Sequence, residues 1–455
     1  MASERRLFGT DGIRGRANDY PMTPEMALQL GRAVAHVFKR TEAHPRIVIG
    51  KDTRLSNYMF ETALQAGICA MGVDAVQLGV LPTPGIAFMT TGMRADAGVV
   101  ISASHNPYDD NGIKFFAADG YKLPDELEAQ IEGLIDSPAL LEHRAHGADI
   151  GRAYRIADAV GRYAVFLKST FPKQLDLQGL RVVVDCANGA AYKVAPEVLY
   201  ELGAEVVELG TSPDGTNINE GVGALHPEVM ARKVREVRAD IGIALDGDAD
   251  RCIVCDADGR IVDGDRILMM LARQLKAAGR LVNDTVVATV MSNFGLERAL
   301  ARDGVRVERV GVGDRYVVER MRAGGFNLGG EQSGHIIMTD HATTGDGLVA
   351  GLQILALMAA TRRPLAALAA GFESVPQVLL GLKVVDKPPL ETLPKVMAAI
   401  HAAEAVLGGD GRVVVRYSGT ERKCRVMVEG DDERRIRGLA DSVIDALRES
   451  IGAAS

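Results

Sequence analysis

One pattern occurs three times in this chain, and it limits the fold more than any single motif does. Each copy holds three short apolar strands separated by helical periodicity, and an unusually polar loop follows the third strand. The first copy places strands at residues 46–50, 75–79 and 98–101 and ends in Ser102-Ala103-Ser104-His105-Asn106-Pro107. The second places them at 182–185, 206–210 and 241–245 and ends in Asp246-Gly247-Asp248-Ala249-Asp250-Arg251. The third places them at 286–290, 307–311 and 326–329 and ends in Gly330-Glu331-Gln332-Ser333-Gly334-His335. Alternating strands and helices specify mixed, largely parallel sheets with helices on both faces. Three such α/β domains around a centre would aim their loops at one cleft.

After Arg362-Arg363-Pro364 the grammar changes. Strands are predicted at 378–385, 412–416 and 424–428, and helices at 390–406 and 432–447. That is an α+β two-layer domain. The expected architecture is therefore α/β with four domains around a central cleft, at 1–153, 154–254, 255–368 and 369–455.

Composition narrows the function classes. Lys and Arg number 52 against 60 Asp and Glu, a net charge of −8, which argues against nucleic-acid and anionic-membrane partners. The opening Met1-Ala2-Ser3-Glu4-Arg5-Arg6 has no signal-peptide core. The longest apolar run, 348–360, is interrupted by Gln353 and is too short to span a bilayer. Five scattered cysteines imply no disulfide framework, so a cytoplasmic location is expected. Cys252 and Cys255 form a CxxC without a second pair at zinc spacing, and they read as core residues of a strand. His143 and His146 read as surface residues of a connecting segment.

The loops carry the chemistry. Asp246, Asp248 and Asp250 alternate directly after an apolar strand, so an extended backbone points all three carboxylates one way. Hard oxygen ligands in that number suit Mg²⁺. A calcium loop does not fit, because its sixth position needs glycine and is Arg251, and its twelfth wants glutamate and is Ala257. A solvated acidic turn is the plain alternative. Ser104 stands at the carboxyl end of a buried strand, where α/β folds put ligands, and an expected turn at Asn111-Gly112 leads to Lys114. The glycines flanking Arg14 make a tight turn that can bring its guanidinium to a phosphate. Glu331 and Ser333 offer oxygens to sugar hydroxyls. Near the end, Arg416, Ser418, Gly419 and Thr420 combine a cation, two hydroxyls and an open backbone, which suits phosphate.

Three aspartates around one Mg²⁺ leave a charge of about −1, and a phosphoserine adds about −1.5 to −2. Arg251, Lys114 and Arg14 can offset that excess, so the inventory fits a metal-bound phosphoserine. Moving a hydroxyl proton needs a titratable group. His335, Lys114 and His105 are candidates, with His105 better read as a structural partner of Ser104. There is no GxxxxGK[ST] and no GxGxxG, so no nucleotide cofactor is indicated.

These residues resemble the α-D-phosphohexomutases over essentially the whole chain. The resemblance rests on GTDGIRG at the start, SASHNP, NGIK, DGDADR, VGDRYV, GEQSGH, TTGDG and SGTE, in that order across four segments. It implies that Ser104 is the phosphoserine and that Ser104, Asp246, Asp248 and Asp250 bind Mg²⁺. It further implies that Glu331 and Ser333 contact sugar hydroxyls and that Arg416, Ser418, Gly419 and Thr420 hold the non-reacting phosphate. Gln332, where mannose and glucose relatives usually carry methionine, resembles the glucosamine branch. The implied reaction interconverts glucosamine 6-phosphate and glucosamine 1-phosphate through a 1,6-bisphosphate, which also serves as primer. Its product feeds UDP-N-acetylglucosamine and cell-wall synthesis. A phosphomannomutase/phosphoglucomutase is the alternative within the family. A metal-dependent phosphatase and a catalytically dead sugar-phosphate-binding protein are the alternatives outside it. Tyr417 and Arg422 depart from the family's prolines and Gly311 from a frequent lysine. The expected partner is a small-molecule hexosamine phosphate, a hinge is expected near Gly371, and a homodimer is compatible with the sequence.

Overall fold

The structure, a computed structural model, describes residues 7–9, 11–39, 45–135, 137–418 and 422–452. It divides into two compact units, one of Met1–Thr289 with Val310–Ala370 and the other of Val290–Arg309 with Gly371–Ser455.

The first unit holds two whole sheets and the larger part of a third. The first sheet orders its strands as Ile13–Arg16, Asp110–Ala117, Ala97–Ile101, Arg46–Lys51, Asp74–Val80 and Ala153–Arg155. Those on the Arg46–Lys51 side pair in parallel, because each is reached through a helix that crosses back over the sheet. Helix Pro24–Phe38 starts as its sequence specifies, with Pro24 at the first position and the Thr23 hydroxyl accepting from the Met26 amide. Phe60, Leu64 and Ile68 of helix Asn57–Ala70 are fully buried against the same core. The second sheet runs Ile261–Val262, Cys252–Asp256, Ile241–Leu245, Arg181–Asp185 and Glu205–Leu209. Cys252 and Cys255 are both buried and free within it, as the spacing argument requires. In the third, Thr285–Thr289 pairs in parallel with Leu328–Gly330, which pairs antiparallel with Ile336–Met338. The expected strand at 326–329 begins at Leu328, because the Asn327 side chain turns to the carbonyl of Arg280 and the amide of Val282.

The second unit carries an all-antiparallel sheet, Gln377–Lys383, Lys423–Glu429 and Arg412–Tyr417, with helices Pro394–Leu407 and Glu433–Ile451. Asn293 caps helix Phe294–Arg302 in this unit, and its side chain also bonds Val375 and Glu429. Gly371, with φ of +87°, begins the unit's longer segment.

One feature recurs in all three α/β sheets. The strand that precedes each polar loop is followed at once by an antiparallel strand: Ala97–Ile101 by Asp110–Ala117, Ile241–Leu245 by Cys252–Asp256, and Leu328–Gly330 by Ile336–Met338. Each polar loop is therefore a reversal at the end of a sheet, held on both sides by ladder bonds. The turn expected at Asn111-Gly112 does not form, because both residues lie inside strand Asp110–Ala117. Asn111 is extended because its amide donates to Ser56 Oγ and Asn57 Oδ1, both at 2.7 Å. Gly112 is required by close packing, since a Cβ there would lie 2.6 Å from the Ser102 carbonyl oxygen.

Helix Gly347–Thr361 is almost wholly buried, and Gln353, the polar residue in its apolar run, donates to the Thr170 carbonyl. Among the described residues no helix is long and apolar enough to cross a membrane. The helix is capped by Asp346, which accepts from the Leu348 and Val349 amides and from the Tyr163 hydroxyl. Burial pushes the Asp346 carboxyl up from an ordinary 3.8 to about 6. A raised folded-state value favours the protonated form, so the stability it contributes is complete below about pH 4 and lost as pH rises through about 6. Asparagine keeps a cap acceptor and does not titrate. In urea unfolding, the wild type should lose up to about 3 kcal/mol relative to Asp346→Asn between about pH 4 and 7. A pH-independent difference would show that Asp346 does not titrate there.

Candidate active site in the first unit

The serine loop is held from below by groups that lack any motif. Ser104 has φ of +53°, a left-handed conformation that costs a non-glycine residue about 1–3 kcal/mol unless its surroundings over-determine it. They do. The Ser104 amide donates to Ser102 Oγ at 2.9 Å, and that hydroxyl donates to Asp52 Oδ2 at 2.6 Å. Arg54, fully buried, donates Nε to Asp52 at 2.9 Å and Nη2 to the carbonyls of Ser104 and Asn106, both at 2.9 Å. Its Nη1 reaches the carbonyls of Pro107 and Asp110. Asn219, from the second repeat, donates to the same Ser104 and Asn106 carbonyls.

The aspartate loop faces this serine. One oxygen from each of Asp246, Asp248 and Asp250 lies within 4.8 Å of the others, and among the described residues no other cluster of this kind occurs. Ser104 Oγ donates to Asp246 Oδ2 at 2.6 Å. Thr83 Oγ1 and Lys114 Nζ donate to Asp248 Oδ2 at 2.7 and 3.0 Å. Asp248 Oδ1 and Asp250 Oδ1 are buried without a hydrogen-bond partner. Burial, then Asp250 and Asp248, hold the Asp246 carboxyl well above the ordinary range. Burial works the same way on Asp248, but Lys114 and the Thr83 hydroxyl outweigh it and hold that carboxyl low. Unpartnered hard oxygens and mutual repulsion are what a divalent cation would relieve, so the donor set fits Mg²⁺.

Cations surround the cluster. Lys114 Nζ sits 3.0 Å from both Asp11 Oδ2 and Asp248 Oδ2. Burial disfavours its charge, but Asp11 and Asp248 more than compensate and raise its pKa. Arg14 bonds Asp11 as well. The Arg251 amide donates to Asp246 at 3.2 Å, and its guanidinium lies 3.9 Å from Asp250. His335 lies between Asp250 and Asp314, 3.5 Å from each, at ion-pair distance rather than in hydrogen bonds. Burial opposes its protonation, yet Asp250, Asp314 and Glu331 prevail and lift it to about 9. His105, 3.3 Å from Ser104 Oγ, is driven down to about 4 by burial and by Arg251 and Arg14.

The third loop is tied to the second. Gly334, at φ +93°, accepts from the Cys252 amide, and a Cβ there would lie 2.3 Å from the Cys252 carbonyl oxygen. Ser333 Oγ donates to Glu331 Oε2 at 3.2 Å, with Ser333 exposed at the rim. The first unit thus brings together Ser104, the three aspartates, Lys114, Arg14, Arg251 and His335, with Glu331 and Ser333 on the adjoining loop. In the second unit, burial and the nearby Arg425 lower the Arg416 pKa, and Lys387 donates to the Ser418 carbonyl at 2.6 Å. Gly419 and Thr420 lie outside the described residues.

Sequence reasoning missed Asp52, Arg54, Asn219, Asp11, Lys122 and Asp314 as contributors to the site. The first two had a positional signal, since Asp52-Thr53-Arg54 also stands at the carboxyl end of a strand. Replacing Arg54 with lysine keeps the charge and loses the fork that serves four carbonyls. Arg54→Lys should lower stability by about 3–5 kcal/mol in urea unfolding. A loss below about 1 kcal/mol would show that those carbonyls find other donors.

The chain matches families described as phosphoglucomutase/phosphomannomutase, alpha/beta/alpha domain I at residues 5–141, domain II at 162–259 and domain III at 263–375, and the C-terminal domain at 379–446. A phosphoglucosamine mutase of Anaeromyxobacter sp. (strain Fw109-5) is 60% identical over 452 residues, covering 98% of this chain and 96% of that protein. A phosphoglucomutase/phosphomannomutase family protein from Burkholderia thailandensis superposes with a TM-score of 0.80 at 26% identity, covering 98% of both chains. An Aspergillus fumigatus N-acetylphosphoglucosamine mutase, solved with GlcNAc-6P and magnesium, shares the fold at a TM-score of 0.68 and 18% identity, covering 98% of this chain and 96% of that one.

Proposed function

Because the chain belongs to the phosphoglucomutase/phosphomannomutase family, the α-D-phosphohexomutases, we propose that it interconverts glucosamine 6-phosphate and glucosamine 1-phosphate. The 60% identity to a phosphoglucosamine mutase across nearly the whole of both chains supports the amino sugar. The observation that carries the chemistry is the Ser104 hydroxyl 2.6 Å from Asp246, beside two buried carboxylate oxygens that accept no hydrogen bond.

Ser104 is the phosphoserine of this reading. Its phosphorus–oxygen bond breaks while a new one forms to the free sugar hydroxyl, giving the 1,6-bisphosphate. The proton leaves the sugar oxygen as Ser104 Oγ gains one. The bisphosphate then returns its other phosphoryl group to Ser104 by the reverse exchange. Ser104, Asp246, Asp248 and Asp250 would hold Mg²⁺, which when bound draws charge from the transferring phosphoryl oxygens. Lys114 and His335 hold protons beside those residues and are assigned the proton transfers: one of them gives its proton to Ser104 Oγ and takes the sugar proton in its place. Arg14 and Arg251 balance the phosphoryl charge. Glu331 and Ser333 orient the sugar hydroxyls. Arg416, Ser418, Gly419 and Thr420 are read as holding the non-reacting phosphate, with Lys387 bracing the Ser418 carbonyl. A hexose 1,6-bisphosphate restores the phosphoserine when it is lost. The free cysteines accord with a cytoplasmic enzyme supplying an amino-sugar precursor for the cell wall.

Side-by-side rates with Mg²⁺ and a trace of bisphosphate primer test the reading. Glucosamine phosphate should turn over fastest, and Ser104→Ala should abolish turnover. Faster turnover of mannose or glucose phosphate would move the protein to the sister branch. Release of free phosphate at the rate of substrate loss would make it a phosphatase. Asp248→Asn should weaken Mg²⁺ binding by calorimetry, and undiminished binding would remove Asp248 from the ligand set.

A further inference from the structure

A chain of alternating charges joins the aspartate loop to the third loop, and its middle member has no assigned role. Lys122 Nζ donates to Asp11 Oδ1 at 2.5 Å and to Asp314 Oδ2 at 2.6 Å. The Lys122 side chain is 16% exposed and that of Asp314 14%. Beyond Asp11 lie Lys114, at 3.0 Å, and Arg14. Beyond Asp314 lies His335, at 3.5 Å. One nearly buried ammonium therefore holds two carboxylates, each of which faces a group assigned to phosphoryl transfer.

Both ends of this chain are balanced positions. Lys114 lies between Asp11 and Asp248, and His335 lies between Asp314 and Asp250. Without the charge of Lys122, Asp11 would draw Lys114 away from Asp248, and Asp314 would draw His335 away from Asp250. A lysine suits the task because a point charge with three donors can serve two carboxylates at once. The turn that carries it is fixed too. Thr343 Oγ1 donates to the Gly120 carbonyl at 2.6 Å, and the Arg322 guanidinium lies 4.1 Å from the Tyr121 ring centroid. Arg315, next to Asp314, donates to Glu128 Oε1 at 2.7 Å.

We propose that Lys122 is a positioning residue for phosphoryl transfer, setting Asp11 and Asp314 and through them aiming Lys114, Arg14 and His335. The inference rests on the mutase reading, which assigns those three groups to the reaction. Kinetics of Lys122→Met, Lys122→Arg, Asp314→Asn and the Lys122→Met/Asp314→Asn double variant test it, with primer in excess and melting temperatures recorded. Lys122→Met should lower kcat about 10- to 100-fold while KM stays within about threefold. Lys122→Arg should recover most of that loss, and the double variant should be no slower than its slower parent. Unchanged kcat in Lys122→Met, equal losses in the methionine and arginine variants, or additive losses in the double variant would each overturn the proposal. Should Lys122→Met not fold, Asp314→Asn decides, and a kcat within about twofold of wild type overturns it. A wild type inactive on every hexose phosphate would overturn the mutase reading and this inference with it. An active wild type with an unimpaired Lys122→Met overturns the inference alone.

Discussion

Repulsion among buried carboxylates governs the first unit. Oxygens of Asp246, Asp248 and Asp250 lie within 4.8 Å of one another in a site nearly closed to water. At an effective dielectric of about 20, two unit charges at that distance repel by roughly 3 kcal/mol. No fold keeps three together without collecting opposite charge around them. That requirement explains why each repeat sends a cation or a proton-bearing group to one place: Lys114 from the first, Arg251 from the second and His335 from the third. It also explains why Lys114 and His335 have raised pKa values despite burial, which alone would lower both.

The sheets deliver these groups with little freedom. A loop that leads into a helix is anchored by ladder bonds on one side. Here each loop is anchored on both, because an antiparallel strand follows the parallel one. The Ser104 backbone could not rest in its left-handed conformation on a loosely held loop. Arg54 and Asn219 remove the remaining slack by occupying the loop's carbonyls from two different repeats. On the proposed reaction, the rigidity that in-line transfer needs comes from these hydrogen bonds to the backbone.

What was legible in the sequence follows from what is local. The threefold repeat shows because apolar runs of strand length alternate with helical periodicity. The triad shows as three aspartates directly after a strand, but the extended run expected there is a turn: the Ala249 amide donates to the Asp246 carbonyl and Ala249 lies at φ +57°, and that turn gathers the carboxylates. Thr23 shows as a cap because capping is decided within four residues. Asn111-Gly112 misled because its turn propensity is real, yet Ser56 and Asn57, far away in sequence, hold Asn111 extended. Lys122 was silent for the same reason, since its partner Asp314 lies 192 residues on. The grouping of residues 290–309 with the C-terminal segment was equally hidden, because it depends on Asn293 meeting Val375 and Glu429.

A mutase must carry out one transfer twice, in opposite senses, on a single substrate. A site whose acid and base were set by one fixed proton would need resetting from solvent between the halves, while a bisphosphate waited. Lys114 and His335 are instead each held between two carboxylates, in a run of charges from Asp248 through Lys114, Asp11, Lys122, Asp314 and His335 to Asp250. A proton gained or lost at one end changes the field at the next member, and the alternation opposes any large net change. On the proposed reaction, the same groups then meet either phosphoryl group in the same electrostatic state. On that reading, the equivalence would let the transfer run forward and back on Ser104.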